Sequence, residues 1–525
     1  MANKAGPKTN APSPSSQSPY ESLPGYSTGA SSSSADVNHE SSEGDALMGG
    51  QSEKFNRNPK YKDVWATFAF LGHLVVLLLL TVAGFRVTVP DTPDHDVPSR
   101  HLPNQRIHKT PTGADPTVPV GDYPKLSEAG PLFAVTVLGG LGFTVMYFML
   151  MQKYARQLIS ASFIFNTAVA GLLAIIYLAS GAMIPAIFAL LYAGVHIFMY
   201  FAYRSRMEFA KVILNNVATI TRAYPSLFVT GIIGAVSQTF WTLTWVISAI
   251  AAARLVQAFE SDAAKYAVVT YIMFSMFWTS QVIKNVVHVT VSGVFATYYF
   301  TGIATADGTV VVPVRNPTLK SAKRALTTSF GSIAFGSLIV ALIQTLRGIL
   351  NTVRRNAQDD GNSALALAAT CADCIMSVVE GLVAFINVYA YTQVAIFGKS
   401  YLEAGRDTWA LLQARGLDLV INDDLTSGVI GLGGVLVAFL SGTLGYVIGL
   451  VKDFAPGMVW ALAGCGFIAG LLQFWVLAEI VRSGVATTFV CLAEDPVALR
   501  RTKPQLYQQF MDSYPRSVVG GVDDV

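Results

Sequence analysis

Apolar residues come in blocks of twenty or so along the chain from Val64 onward, separated by short polar or basic stretches. An α-helix crosses the roughly 30 Å hydrocarbon core of a bilayer in about 20 residues, so each block is a candidate span. The pattern predicts spans near residues 64–86, 132–151, 158–178, 182–203, 227–253, 267–300, 330–350, 364–397, 427–451 and 458–482. The fold class that follows is an all-α integral membrane protein, a polytopic bundle of about ten transmembrane helices. Blocks 267–300 and 364–397 are longer than a straight crossing needs and are expected to tilt, bend or project into solvent.

Polar residues inside these blocks carry the chemistry. Gln281, Lys284, Asn285 and His288 are spaced i, i+3, i+4 and i+7, which places them on one face of a helix that Trp278 begins and Ser292 continues. A lysine near the bilayer midplane costs about 3 kcal/mol on insertion scales, so this face is expected to meet protein or a water-filled path. In 364–397, Asp373, Glu380 and Asn387 recur every seven residues and drift slowly around one face, followed by Gln393. Glu380 lies near the middle of its span. It could pair with Lys284, balance a substrate cation or carry a proton. A cation carrier has no obvious use for a fixed lysine in its path, so Lys284 is expected to neutralise Glu380 or to lock two helices together.

Aromatic side chains offer a second kind of site. Trp241 and Trp245 are one turn apart, Trp278 heads the polar face, and Tyr298, Tyr299, Tyr389 and Tyr391 end or line long helices. Tryptophan and tyrosine faces hold quaternary ammonium groups, whereas an interfacial belt or simple packing explains the same residues without a ligand. Glycines recur at Gly331 and Gly336, at Gly431, Gly433 and Gly434, and in GxxxG pairs at Gly445 and Gly449 and at Gly466 and Gly470. Close helix packing is the expected use, with local unwinding around Gly331 and Gly336 as the alternative.

Composition agrees with a lipid-facing surface. The 525 residues are 52% hydrophobic and 13% charged, with a mean hydropathy of +0.47. A net charge of +3 gives no electrostatic case for a nucleic-acid partner. Residues 1–60, rich in Ser, Pro, Gly and Asn, read as a disordered cytoplasmic tail, and 61–485 as the transmembrane domain. Residues 486–525 read as a cytoplasmic segment. With no apolar run near the start, the first helix is expected to direct insertion. Lysine and arginine near the block ends put both termini inside. The loop 87–131 then lies outside, where His95, His101 and His108 lack the spacing of a metal site. Arg347, Arg354 and Arg355 disagree, falling on the outer side if 330–350 crosses fully. Cys371 and Cys374 form a lone CxxC with no partner pair.

The string GYSTG at Gly25–Gly29 lies in the Ser-rich leader and is no nucleophile elbow, no HExxH or GxxxxGK[ST] motif occurs, and no cofactor is expected; the reading is not an enzyme. Isolated polar groups in apolar helices are how transporters and channels read. The stretches TSQVIKNVVHVTVSGVFATYYF (279–300), TTSFGSIAFGSLIVALIQTLRGIL (327–350), VYAYTQVAIFGKSYLEAGRDTWALLQARG (388–416) and CLAEDPVALRRTKPQLYQQF (491–510) resemble the choline transporter-like family, in its fungal branch. That resemblance implies a multi-pass plasma-membrane protein with cytoplasmic termini and an organic-cation substrate. The pathway residues expected from the physical argument are Trp241, Trp245, Trp278, Gln281, Asn285, His288, Glu380 and Asn387. Lys284 with Glu380 is the candidate ion pair. The expected activity is facilitated or proton-linked alternating access for a choline-like cation or related amine, in a lipid bilayer. A channel or lipid-handling protein, and a membrane scaffold or sensor, are the alternatives.

Overall fold

The computed structural model describes residues 60–87, 126–181, 183–203, 207–305 and 310–494, with positions 500, 504, 507 and 508. The expectations for the N-terminal tail, most of loop 87–131 with its three histidines, and most of the C-terminal segment lie outside the described residues. Helices dominate: α1 (Val64–Arg86), α2 (Leu126–Ala179), α3 (Met183–Tyr203), α4 (Met207–Ala223), α5 (Pro225–Gln257), α6 (Asp262–Thr301), α7 (Pro317–Leu326), α8 (Phe330–Asp359), α9 (Ser363–Phe397), α10 (Tyr401–Val451) and α11 (Pro456–Glu494). A two-stranded antiparallel pair, β1 (Ile303–Ala304) with β2 (Val310–Val311), separates α6 from α7.

Nine stretches among the described residues are long and apolar enough to cross a membrane. They coincide with nine of the expected blocks. The tenth, 182–203, is the helix α3, whose described apolar stretch Ala186–Phe198 is shorter. Blocks 132–151 and 158–178 are the two parts of α2, divided at Tyr154 by non-helical backbone (φ −123°, ψ 34°). Large apolar side chains cover the outside of the bundle. Phe240 is 72% exposed and Val378 73%, which only a lipid surround makes favourable.

The central helix is α6. At 40 residues it is about 60 Å long, twice the hydrocarbon thickness, and it packs against α5, α7, α8, α9 and α11. Its second half, from Val287 to Phe300, is buried without interruption. Tyr298 and Tyr299, together with Tyr389 of α9, sit in the principal apolar core instead of an interfacial belt. Helices α8 and α9 form a hairpin closed by Gly361 at φ 71°, and Asn362 accepts the Leu365 N–H at 3.1 Å as the N-cap of α9.

Glycine sets the α10–α11 seam. A side chain at Gly445 would strike the Leu462 carbonyl, and one at Gly466 the Ser441 carbonyl. Backbone therefore meets backbone, as the GxxxG spacing predicts. The alternative of a locally unwound α8 is not realised. Gly331 and Gly336 lie within continuous helix, where Gly331 faces the Lys62 and Asp63 carbonyls and Gly336 faces the Tyr401 ring and the Tyr391 hydroxyl. Asp63, just before α1, holds a left-handed φ of 50°. Its carboxylate accepts from Ser332 Oγ at 2.7 Å and from the Tyr401 backbone N–H at 2.8 Å.

Candidate functional site

The polar face of α6 forms as the spacing predicts, but successive turns hand it to different neighbours. Gln281 Nε2 donates to Gln344 Oε1 of α8 at 3.4 Å, and Gln344 Nε2 donates to Glu380 Oε1 of α9 at 2.9 Å. The second Glu380 oxygen accepts from Arg347, whose Nε donates to Asp373 Oδ1 at 2.9 Å. One guanidinium thus spans two carboxylates that lie two turns apart on α9, a use for which its planar fork of donors is suited.

That arrangement corrects the expected pairing of Lys284 with Glu380. Arg347 projects from α8, the facing helix of the α8–α9 hairpin, and takes the carboxylate. Lys284 makes no ion pair with Glu380 among the described residues. Turned inward onto two carboxylates, Arg347 is not an uncompensated loop charge, whereas Arg354 and Arg355 still stand against the expected orientation.

One turn on, Asn285 Nδ2 donates to Ser337 Oγ at 2.9 Å and to the Tyr391 hydroxyl at 3.2 Å, and the Tyr391 hydroxyl reaches the Ile333 carbonyl at 3.3 Å. Asn387 Oδ1 accepts from the Tyr401 hydroxyl. Burial pushes that hydroxyl up to about 12, so it remains a donor throughout the physiological range.

Of the polar positions 281, 284, 285 and 288, His288 is the most enclosed. It is 1% exposed, and its partner Glu479 2%. Nδ1 lies 2.7 Å from Glu479 Oε1 and Nε2 lies 3.2 Å from Thr392 Oγ1. The Thr392 hydroxyl lies 2.9 Å from the Val388 carbonyl. The ring meets these partners in either of two arrangements: Nδ1–H donates to the carboxylate while Nε2 accepts from the Thr392 hydroxyl, or both ring nitrogens carry hydrogen and the Thr392 proton stays with Val388.

The tryptophans do not share one cage. Trp278 is buried with Phe70 and Ala334 and donates to the Ala334 carbonyl at 3.0 Å. Trp241 lies in a separate cluster with Leu77, Val268 and Ile272, against which Trp245 packs while its Nε1 donates to the Ile272 carbonyl at 2.9 Å. Beside Trp278 stands His73 of α1, with ring centroids 4.9 Å apart, and His73 Nε2 lies 3.0 Å from Ser275 Oγ.

Sequence reasoning missed Glu479, Thr392, Arg347 as an inward residue, and His73. Glu479 carries the same signal as Glu380, a lone carboxylate inside an apolar run (FWVLAEIV), with Arg482 one turn later. His73 is likewise the one titratable residue of an apolar helix before its terminal Arg86.

The family described as plasma-membrane choline transporter matches residues 187–497, which include α5 to α11 almost entirely. A CTL-like protein of Dictyostelium discoideum is 31% identical over 459 residues, 87% of this chain and 76% of that relative. The PNS1 protein of Mycosarcoma maydis is 30% identical over 405 residues, 74% of each chain. That of Cryptococcus neoformans var. neoformans serotype D is 31% identical over 411 residues, 74% of this chain and 72% of the relative. With a helical bundle that spans the membrane and a family match over more than half its length, the chain belongs to the choline transporter-like family of multi-pass membrane transport proteins.

Proposed function

We propose that the protein carries a choline-like cation or related amine across the plasma membrane by proton-linked alternating access, with both termini cytoplasmic. The observation that carries the proton linkage is the buried pair of His288 and Glu479, an imidazole and a carboxylate 2.7 Å apart with Thr392 on the other side of the ring. Glu479 already faces His288 at 2.7 Å, so the substrate cation does not sit on this pair. Its path follows the seam of α6 with α8 and α9, along Trp278, Gln281, Asn285, Glu380 and Asn387. The proton is coupled to that seam through α6 and through Thr392 on α9. No step in this reading makes or breaks a covalent bond in the substrate, and the protein is a carrier instead of an enzyme.

Uptake of radiolabelled choline into proteoliposomes tests the reading. Saturable uptake that changes with a pH difference imposed across the vesicle membrane, and that loses this dependence in His288→Gln, is the expected result. Non-saturable flux or lipid scrambling would point to a channel or lipid-handling protein. Absence of any flux, with intact protein, would point to a scaffold or sensor.

A further inference from the structure

α7 is a short amphipathic helix that belongs to neither of the spans it joins. Its inner face, Thr318, Ser321 and Ala325, is buried. Ser321 Oγ donates to the Thr290 carbonyl of α6 at 2.7 Å, where the contact requires glycine at 293. Arg324, on the edge of the helix, donates from Nη2 to the Ala395 carbonyl of α9 at 3.0 Å. The outer face is different. Leu319 is 70% exposed and Leu326 59%, and seven residues of separation align them along one line. Lys323 and Lys320 lie beside that line and are exposed, as is Arg315 immediately before the helix.

Charge along this stretch of the chain is of one sign. No aspartate or glutamate occurs from Gly308 to Gln358. The chain before α1 adds to it, since the Lys62 N–H bonds the Thr328 carbonyl just past α7, with the side chains of Lys60 and Lys62 exposed. Leucines flanked by lysines, on a helix lying between two membrane spans, are the pattern that inserts apolar groups at the acyl boundary and sets ammonium groups at headgroup level. The complementary occupant is a negatively charged lipid surface.

We propose that the outer face of α7 binds anionic phospholipid headgroups of the surrounding bilayer. The helix rests on α6 two residues beyond His288 and on α9 three residues beyond Thr392, so a lipid held there bears on both helices that enclose the buried pair. This binding depends only on the chain spanning a membrane and is independent of which solute it carries.

The full chain in phosphatidylcholine bilayers, doped with spin-labelled phosphatidylserine or spin-labelled phosphatidylcholine, reads this directly as the fraction of probe held at the protein boundary. Wild type is expected to prefer the phosphatidylserine probe, and the preference is expected to weaken as salt rises. Each cation removed in Lys320→Gln with Lys323→Gln should lower the preference by on the order of fivefold at low salt, while Lys320→Arg with Lys323→Arg should retain it. Inorganic phosphate, which has the charge but no acyl chain, should not displace the probe beyond its effect on ionic strength. Equal boundary fractions for the two probes in wild type, or a preference indifferent to salt, would overturn the proposal; these two readings need no variant to fold.

Discussion

The imidazole of His288 meets the carboxylate of Glu479 at 2.7 Å across 191 positions of sequence, and Thr392 closes the other side of the ring. Three helices therefore meet at one buried imidazole. Removing either partner leaves a buried polar group without its complement, which costs about 3–5 kcal/mol when a buried ion pair is broken. Glu479→Gln and His288→Ala are each expected to lower the thermal midpoint strongly in detergent. The double variant should lose less than the sum of the two, and strict additivity in that cycle would remove the coupling.

Arg347, not Lys284, holds Glu380. Partial exposure of the guanidinium moderates the effect, so Arg347→Ala should cost about 1–3 kcal/mol. Exchanging the charges, Arg347→Glu with Glu380→Arg, should recover part of that loss. The exchange Lys284→Glu with Glu380→Lys should recover nothing. Thermal stability of the two charge-exchanged proteins, measured side by side, decides between the pairings.

At the α10–α11 seam even one methyl group is too many. Gly445→Ala and Gly466→Ala should each reduce the yield of monodisperse protein in fluorescence-detected size exclusion, because the atoms they meet are backbone carbonyls that cannot rotate away. Gly142→Ala meets nothing within 4 Å and serves as the control that should behave as wild type.

Two tryptophans one turn apart should respond differently to loss of the indole N–H. Trp245→Phe gives up a bond to the Ile272 carbonyl, worth about 1 kcal/mol. Trp241 Nε1 is buried with no hydrogen-bond partner among the described residues, so Trp241→Phe should be nearly neutral or slightly stabilising. Chemical denaturation of the two variants measures the difference.

Tyr401 supplies a pH prediction with a definite sign. Its hydroxyl titrates near 10 when unfolded and is pushed up to about 12 by burial in the folded protein. The neutral form is thus favoured by folding, and its contribution is complete below about pH 10 and is lost as pH rises towards 12. Wild type should lose more stability than Tyr401→Phe between pH 10 and 12, and the two should show parallel profiles between pH 6 and 9.

The sequence made α6 legible because a polar face is an internal property of one helix: positions 281, 284, 285 and 288 share a side whatever surrounds them. Which helix lies opposite is not encoded in that period. Lys284 and Glu380 each stand alone in their spans and invite pairing, yet the α8–α9 hairpin brings Arg347 to the carboxylate first, since neighbours in sequence pack before distant ones compete. Arg347 was hidden by its place near the end of an apolar block, where arginine ordinarily marks a loop. The aromatic cage failed to assemble for a related reason: Trp241 and Trp278 lie on different helices whose facing sides are set by packing with α1. The basic run before α8 reads as loop charge in sequence, and only its burial pattern shows a helix with an outer side.

Asp63 carries a consequence for how the protein is made. The backbone turn that starts α1 is left-handed at a residue with a side chain, and the bonds that hold it come from Ser332 and from Tyr401, 269 and 338 residues later. At ribosomal speeds of about 5–20 residues per second, the last of those donors follows Asp63 by roughly 20 to 70 seconds. For that interval α1 is in the bilayer with its first turn unanchored, and the joint is closed only when the start of α10 arrives.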